Sequence, residues 1–168
     1  ITYLESDEII KANANYIRVM EQMPPPNKSV TIEQLTALHY TVKIKRLPYA
    51  DLSIYTKHGH RRARAMAFTG MVQAPGGTMH TVEILGPPTL DAWKESYDVL
   101  FTGMLMLDAV RRPSLDAYRS KICQLHAQYG PRCWALLYQA DVRCRSEHMD
   151  RLRFELLAKH NAAITAGN

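Results

Sequence analysis

Four residues of the sequence have types and spacing that suit a metal site. Cys123 precedes His126 by three residues, and Cys144 precedes His148 by four. On helices these spacings place both side chains of a pair on one face, and tetrahedral zinc accepts two thiolates and two imidazoles. Cys123, His126, Cys144 and His148 are therefore candidate zinc ligands, although the main expectation is that the protein has no cofactor. The competing interpretation is that the cysteines are small core residues and the histidines lie at the rim of a helix pair.

A second group with possible chemistry is His58 and His60, separated by Gly59. Imidazoles titrate near neutral pH, so the two rings are candidate acid and base groups, or metal ligands, of a hydrolase or nuclease. Asp51 is the nearest carboxylate in sequence, and no acidic residue lies closer to orient either ring. The lack of an orienting partner favours a polar turn over a catalytic site.

Motifs of the common hydrolases and phosphoryl-transfer enzymes are absent from the sequence. It contains no Gly-x-Ser-x-Gly, no glycine-rich loop ending in Lys-Ser or Lys-Thr, and no His-Glu-x-x-His. We therefore expect a binding protein rather than an enzyme.

Positive charge is concentrated in residues 43–64, here called the basic segment. It holds seven lysines and arginines against Asp51 alone, whereas the whole chain has a net charge of +5. Cations interleaved with Tyr49 and Tyr55 suit a surface that releases counterions from phosphates and stacks on bases. The alternative is an ordinary solvated strand. The predicted nucleic-acid or polyanion contacts are Lys43, Lys45, Arg46, Lys57, His58, His60, Arg61, Arg62 and Arg64.

Helical spacing predicts two helices before residue 41. We expect Ser6 to cap the first helix, and Pro24–Pro26 to stop it. Thr31 and Gln34 resemble a capping box for a second helix that ends near Tyr40. Strand structure is an alternative for residues 41–44.

Residues 41–85 alternate with the period of strands and predict a small antiparallel sheet of three or four strands. Pro75, Gly76 and Gly77 mark a hairpin turn at 74–78. In the strand that leads into this turn, one predicted close-packed face consists of Ala63, Ala65 and Ala67.

Three helices are predicted after residue 88. Thr89 caps the first, Pro113 closes it, Ser114 caps the second and Gly130 ends it. The third starts near Arg132, with a break around 141–144, and residues 161–168 are expected to fray. Alternating acids and arginines in 141–155 indicate salt bridges on a helix surface. The buried stripe predicted for the first of these helices is Trp93, Tyr97, Leu100, Met104 and Leu107.

These elements predict one α+β domain over residues 1–168. A helical segment (1–40) and a three-helix unit (89–160) flank a β segment (41–88). The chain has 168 residues and 46% hydrophobic content, enough for one core.

A second function class is an assembly subunit that docks on a partner or a second copy through helix 89–111 or 115–129. The competing interpretation is that both helices belong to the internal core.

Three cysteines at wide spacing indicate reduced thiols, and hence an intracellular protein. No apolar run is long enough to span a membrane, and the first residues lack the pattern of a secretory signal. The sequence begins at Ile1 rather than Met, so we expect a piece of a longer protein or a processed product.

Three blocks of sequence resemble a domain of uncharacterised dinoflagellate proteins, some of them retrotransposon-like or multidomain. The blocks are "LPYADLSIYTKHGHRRARAMAF", "EILGPPTLDAWKESYDVLFTGMLML" and "WALLYQADVRCRSEHMDRLR", and they cover about residues 45–153. The resemblance implies a protist source and a lean toward nucleic acid. It brings no assigned activity, cofactor or catalytic residue.

Overall fold

A computed structural model describes residues 3–43, 52, 67–148, 158–159 and 161–167. Its first element, α1, spans Ser6–Met20 and buries Ala12 and Tyr16. Glu5, not Ser6 as predicted, is the N-cap, and its backbone N–H donates to Glu8 Oε2 at 3.3 Å. The Glu5 side chain in turn accepts from the Glu8 backbone N–H, so the two glutamates form a reciprocal capping box.

The second helix, α2, spans Ile32–Lys43 and follows a 3₁₀ turn at Pro26–Lys28. The predicted capping box is confirmed, because Thr31 N donates to Gln34 Oε1 at 2.9 Å and Gln34 N donates to Thr31 Oγ1 at 3.1 Å. Residues 41–43, for which a strand was an alternative, continue the helix.

The sheet of the described residues is one hairpin of β1 (Ala67–Gln73) and β2 (Met79–Leu85). The strands are antiparallel, with Ala67 opposite Leu85. Ala74 N donates to Thr78 O at 2.8 Å, which closes the predicted turn at 74–78. Further strands predicted within 44–51 and 53–66 lie outside the described residues.

The hairpin face that packs on the helices differs from the predicted one. Phe68 is half-buried and stacks on Tyr138 with ring centroids 6.0 Å apart, and Gly70 beside it is buried. Ala67 is exposed, so the alanine face is not the packed one at this position. Side chains alternate along a strand, and the larger ring of Phe68 takes the interior. The other members of the predicted alanine face, Ala63 and Ala65, lie outside the described residues.

Helix α3 spans Leu90–Met106 and begins as predicted, with Thr89 Oγ1 accepting from Ala92 N at 3.2 Å. It ends well before Pro113, and Asp108 in the following turn has a φ of 52°. Its stripe is internal as predicted, with Leu107 half-buried and the other four members buried.

Helix α4 spans Arg112–Tyr129 and corrects two predictions. Pro113 lies in its first turn instead of closing α3, and Ser114 lies inside the helix because Arg111 is the N-cap. Proline fits there because the first turn leaves its amides without helical partners. Gly130, with a φ of 83°, ends α4 as predicted.

The last long element begins with a 3₁₀ turn at Pro131–Cys133 and continues as α5 (Trp134–Arg143). It then passes into a π turn at Cys144–His148, where the predicted break falls. Residues 158–159 and 161–165 are helical and exposed.

Helix α3 is the centre of the core, because α1, α2 and α4 all pack against it. Trp93 stacks on Tyr97 at 4.7 Å, and Tyr97 stacks on Tyr118 of α4 at 6.1 Å. Helix α5 packs on α4 and carries β1 on its other side. Within the described ranges, every helix is too short or too polar to cross a lipid bilayer.

Candidate functional site

The basic segment leaves the C-terminal end of α2 and leads to β1. Lys43 is the last residue of α2. Leu52 is fully buried and belongs to the same core cluster as Trp93. The segment is therefore attached to the core at its middle, and its ends join two packed elements. The other predicted contacts lie outside the described residues: Lys45, Arg46, Lys57, His58, His60, Arg61, Arg62 and Arg64.

Charge is unevenly divided between the described residues and the rest of the chain. The described ranges contain thirteen lysines and arginines and thirteen aspartates and glutamates, so they are formally neutral. The net charge of +5 lies in the remaining residues of the basic segment, because the two arginines and two acids of residues 149–157 cancel. The described ranges therefore add no net charge to the attraction for a polyanion.

The predicted zinc ligands lie on two helical elements. Cys123 and His126 are on α4, whereas Cys144 starts the π turn and His148 ends it. The three described cysteines are free and half-buried, and the His126 ring contacts Trp134 edge-on at 6.2 Å. Among the described side chains, no three His, Cys, Asp or Glu groups are arranged to hold a metal ion. The side chain of His148 is not among them, so the four-residue zinc site stays a prediction.

A buried carboxylate that the sequence analysis placed on a helix surface joins α3, α4 and α5. Asp141 is 1% exposed. Its Oδ2 accepts from Trp93 Nε1 at 3.0 Å, and its Oδ1 accepts from the Tyr118 hydroxyl at 2.6 Å. Arg145 donates to both oxygens, from Nε at 2.9 Å and from Nη2 at 2.8 Å. Each carboxylate oxygen thus has two donors.

The surroundings of this carboxylate keep the nearby phenols neutral. Burial raises the pKa of Tyr118, and the charge and hydrogen bond of Asp141 raise it further. Burial also raises the pKa of Tyr97, which stacks on Tyr118 and donates its hydroxyl to Leu115 O at 2.8 Å. The protonated form of Tyr118, which donates to Asp141, is therefore favoured in the folded chain.

The arrangement around Asp141 suits structure rather than catalysis. A general base must reach a substrate proton, whereas both oxygens of Asp141 are occupied and its side chain has no exposed surface. Asp141 and Arg145 form a paired, satisfied charge that fixes how three helices meet. The surface salt bridge predicted for this pair is a buried one.

This buried cluster was not predicted from the sequence, although the spacing of its residues indicates a buried helix face. Trp134, Tyr138, Asp141 and Arg145 step by 4, 3 and 4, and all four are buried. The two charged residues continue the stripe of the two aromatic ones, which places them on the internal face of the helix.

The surface predicted for assembly through α3 is internal. Met104 and Met106 are 1% and 6% exposed, so the methionines of this helix fill the core of their own chain. On α4 the stripe is buried at Leu115 and Ile122, and Tyr129 at its end is 61% exposed.

Comparisons with protein-family models, with curated proteins and with solved structures gave no match. The resemblance to a dinoflagellate domain therefore stays a prediction, and any function must be argued from the chain itself.

Proposed function

We propose that the protein is a non-catalytic binding module that contacts nucleic acid, or another polyanion, through the basic segment. The observation that carries the proposal is the charge distribution. The described ranges, which include Lys43, are formally neutral, and the rest of the basic segment carries six cations against one carboxylate. Polyanions bind mainly by neutralising phosphates with lysine and arginine, so this segment has the highest charge complementarity in the chain.

The attachment of the segment supports the proposal. Leu52 is fully buried, so residues on both sides of it start from a fixed point in the core. Residues attached at a fixed point have less conformational freedom to lose on binding than residues of a free chain. Cations before and after Leu52 would then contact phosphates from one attached segment.

The test is binding of fluorescently labelled single-stranded RNA, single-stranded DNA, duplex DNA and heparin, followed by anisotropy. Replacing Arg61, Arg62 and Arg64 together by Gln removes three charges from the basic segment. The matched control replaces Arg111, Lys121 and Arg132 by Gln, because these three side chains are exposed on the described body.

We expect the basic-segment variant to lose at least about tenfold in affinity and the control variant to lose much less. Equal losses would show that only the total charge matters and would contradict the proposal. Comparison of the four ligands identifies the class of polyanion.

Assembly is the alternative function, and one observation favours it. The outer face of the hairpin exposes Met71, Met79 and Leu85, at 51%, 49% and 70%. Methionine and leucine side chains on one open face suit a contact between protein surfaces. If this alternative holds, light scattering will show a dimer, and Met71→Lys will dissociate it. If it does not hold, light scattering will show a monomer.

A further inference from the structure

A cleft of about 330 Å³ lies between two parts of the molecule. One side is the C-terminal half of α1 with residues 22–28, and the other side is helices α3 and α4. Tyr16, Met20 and Phe101 form its apolar wall. This volume is at the lower end of the range for small-molecule sites.

Five charged side chains line the same cleft, and they differ in how strongly they are engaged in ion pairs. Asp98 is held by Arg119, whose Nε and Nη2 donate to Oδ1 at 2.8 Å and to Oδ2 at 3.2 Å. This bidentate pair is mostly shielded from solvent, with side chains 18% and 33% exposed. Asp98 is therefore neutralised and would not repel an anion.

The remaining charges leave a positive excess. Arg112 Nε lies 3.4 Å from Asp116 Oδ2, and both side chains are about half exposed. Such an exposed pair is weak, and a guanidinium carries five N–H donors with which it can also bind an anion. Within the described part of the chain, the half-buried Lys28 has no ion-pair partner. Lys28, Arg112 and Arg119 against Asp98 and Asp116 give the cleft a formal charge of +1.

We propose that this cleft binds a small aromatic anion, with its ring on the wall of Tyr16, Met20 and Phe101 and its acidic group on Lys28 and Arg112. Burial raises the pKa of the Tyr16 hydroxyl and outweighs the lowering effects of the Thr102 hydrogen bond and the Arg112 charge, so this residue provides a neutral wall. The acidic group can be a carboxylate or a phosphate ester, because both accept from ammonium and guanidinium donors. The site is separate from the basic segment and does not depend on polyanion binding.

The test is calorimetric titration of the full chain with benzoate, phenyl phosphate and the neutral benzyl alcohol. We expect both anions to bind and the alcohol to bind at least about fivefold more weakly, since it lacks the charged hydrogen bonds. The anion with the higher affinity identifies the acidic group. Equal affinity for the alcohol and the anions, or binding of none of them, would overturn the proposal.

Three variants locate the binding. Lys28→Gln should weaken the binding of both anions about fivefold or more, because it removes one of the two cations that contact the acidic group. Lys121→Gln, an exposed cation of α4 outside the cleft, should leave the affinities unchanged. Arg62→Gln in the basic segment should also leave them unchanged, which separates this site from polyanion binding.

Lys28 lies in a short 3₁₀ turn at the rim, so we expect Lys28→Gln to fold, and its thermal unfolding is measured as a check. If Lys28→Gln keeps full affinity, or if Arg62→Gln loses as much as Lys28→Gln, the site is not this cleft.

Discussion

Trp93 and Asp141, 48 residues apart in sequence, are joined by a hydrogen bond of 3.0 Å between the indole Nε1 and Oδ2. The bond links α3 to α5, and the same carboxylate links α4 through Tyr118. A single buried charge thus sets the positions of the three helices that support the hairpin and the core attachment of the basic segment.

Replacing Asp141 by Asn should destabilise the fold strongly. The substitution leaves the Arg145 guanidinium, 3% exposed, without its counter-charge. We expect the free energy of unfolding to fall by about 3–5 kcal/mol. The matched control is Asp116→Asn, which breaks an exposed i,i+4 pair with Arg112 and should cost no more than about 1 kcal/mol. Urea unfolding of both variants measures the difference, and similar losses would refute the buried role of Asp141.

Gly86→Ala should destabilise the protein more than Gly76→Ala. Both glycines have a positive φ, 144° and 95°, so both substitutions strain the backbone. Only at Gly86 would a Cβ also collide with the Tyr138 ring, whereas the space around Gly76 is open. We expect an additional loss of about 1–3 kcal/mol at Gly86, measured by urea unfolding. Equal losses would mean that Tyr138 moves aside without cost.

Thr31→Ala should destabilise α2, whereas Ser114→Ala should be nearly neutral. Thr31 shares reciprocal hydrogen bonds with Gln34, so its loss should cost about 1 kcal/mol. Ser114 is exposed and lies inside α4, past its N-cap. Thermal unfolding measures the stability of both variants. A larger loss of stability for Ser114→Ala than for Thr31→Ala would indicate that Ser114 caps α4.

Stability should fall as the pH rises above about 10, the ordinary pKa of tyrosine. Folding raises the pKa values of Tyr97 and Tyr118, so the folded chain keeps protons that the unfolded chain releases. The stabilisation is complete below the unfolded pKa and is lost above it, by about 1.4 kcal/mol per pH unit for each tyrosine. Urea unfolding across the alkaline range measures this slope.

Tyr97→Phe provides the control for the alkaline slope, because it removes one of the two phenols and keeps the ring. Its slope should be shallower than that of the parent chain by about 1.4 kcal/mol per pH unit. An unchanged slope would show that Tyr97 ionises equally easily in the folded and unfolded chains.

Local patterns predicted the helices and the hairpin well. The capping box of α2, the Thr89 cap and the buried stripe of α3 depend on near neighbours, so the sequence alone contains them. The 74–78 turn was predictable for the same reason, because its glycines supply the positive φ values that a turn needs.

Errors arose where two local signals compete or where tertiary packing decides. Pro113 suits both the end of one helix and the first turn of the next, and the structure uses the second option. Asp141 and Arg145 form an i,i+4 pair, and this spacing is the same for a surface pair and for a buried one. Only the adjacent aromatic stripe indicates that the pair is buried. The alternation of Ala67 and Phe68 along β1 is compatible with either face of the strand packing on the helices. Phe68 faces the helices because it stacks on Tyr138.

The salt dependence of polyanion binding tests the proposed function most directly. We expect the affinity for labelled duplex DNA to fall with salt, with a log–log slope of about −3 to −6, because several of the seven cations release counterions. The variant with Arg61, Arg62 and Arg64 replaced by Gln should reduce the magnitude of that slope by about 2 to 3. A slope near zero, or the same slope in both proteins, would contradict binding through the basic segment.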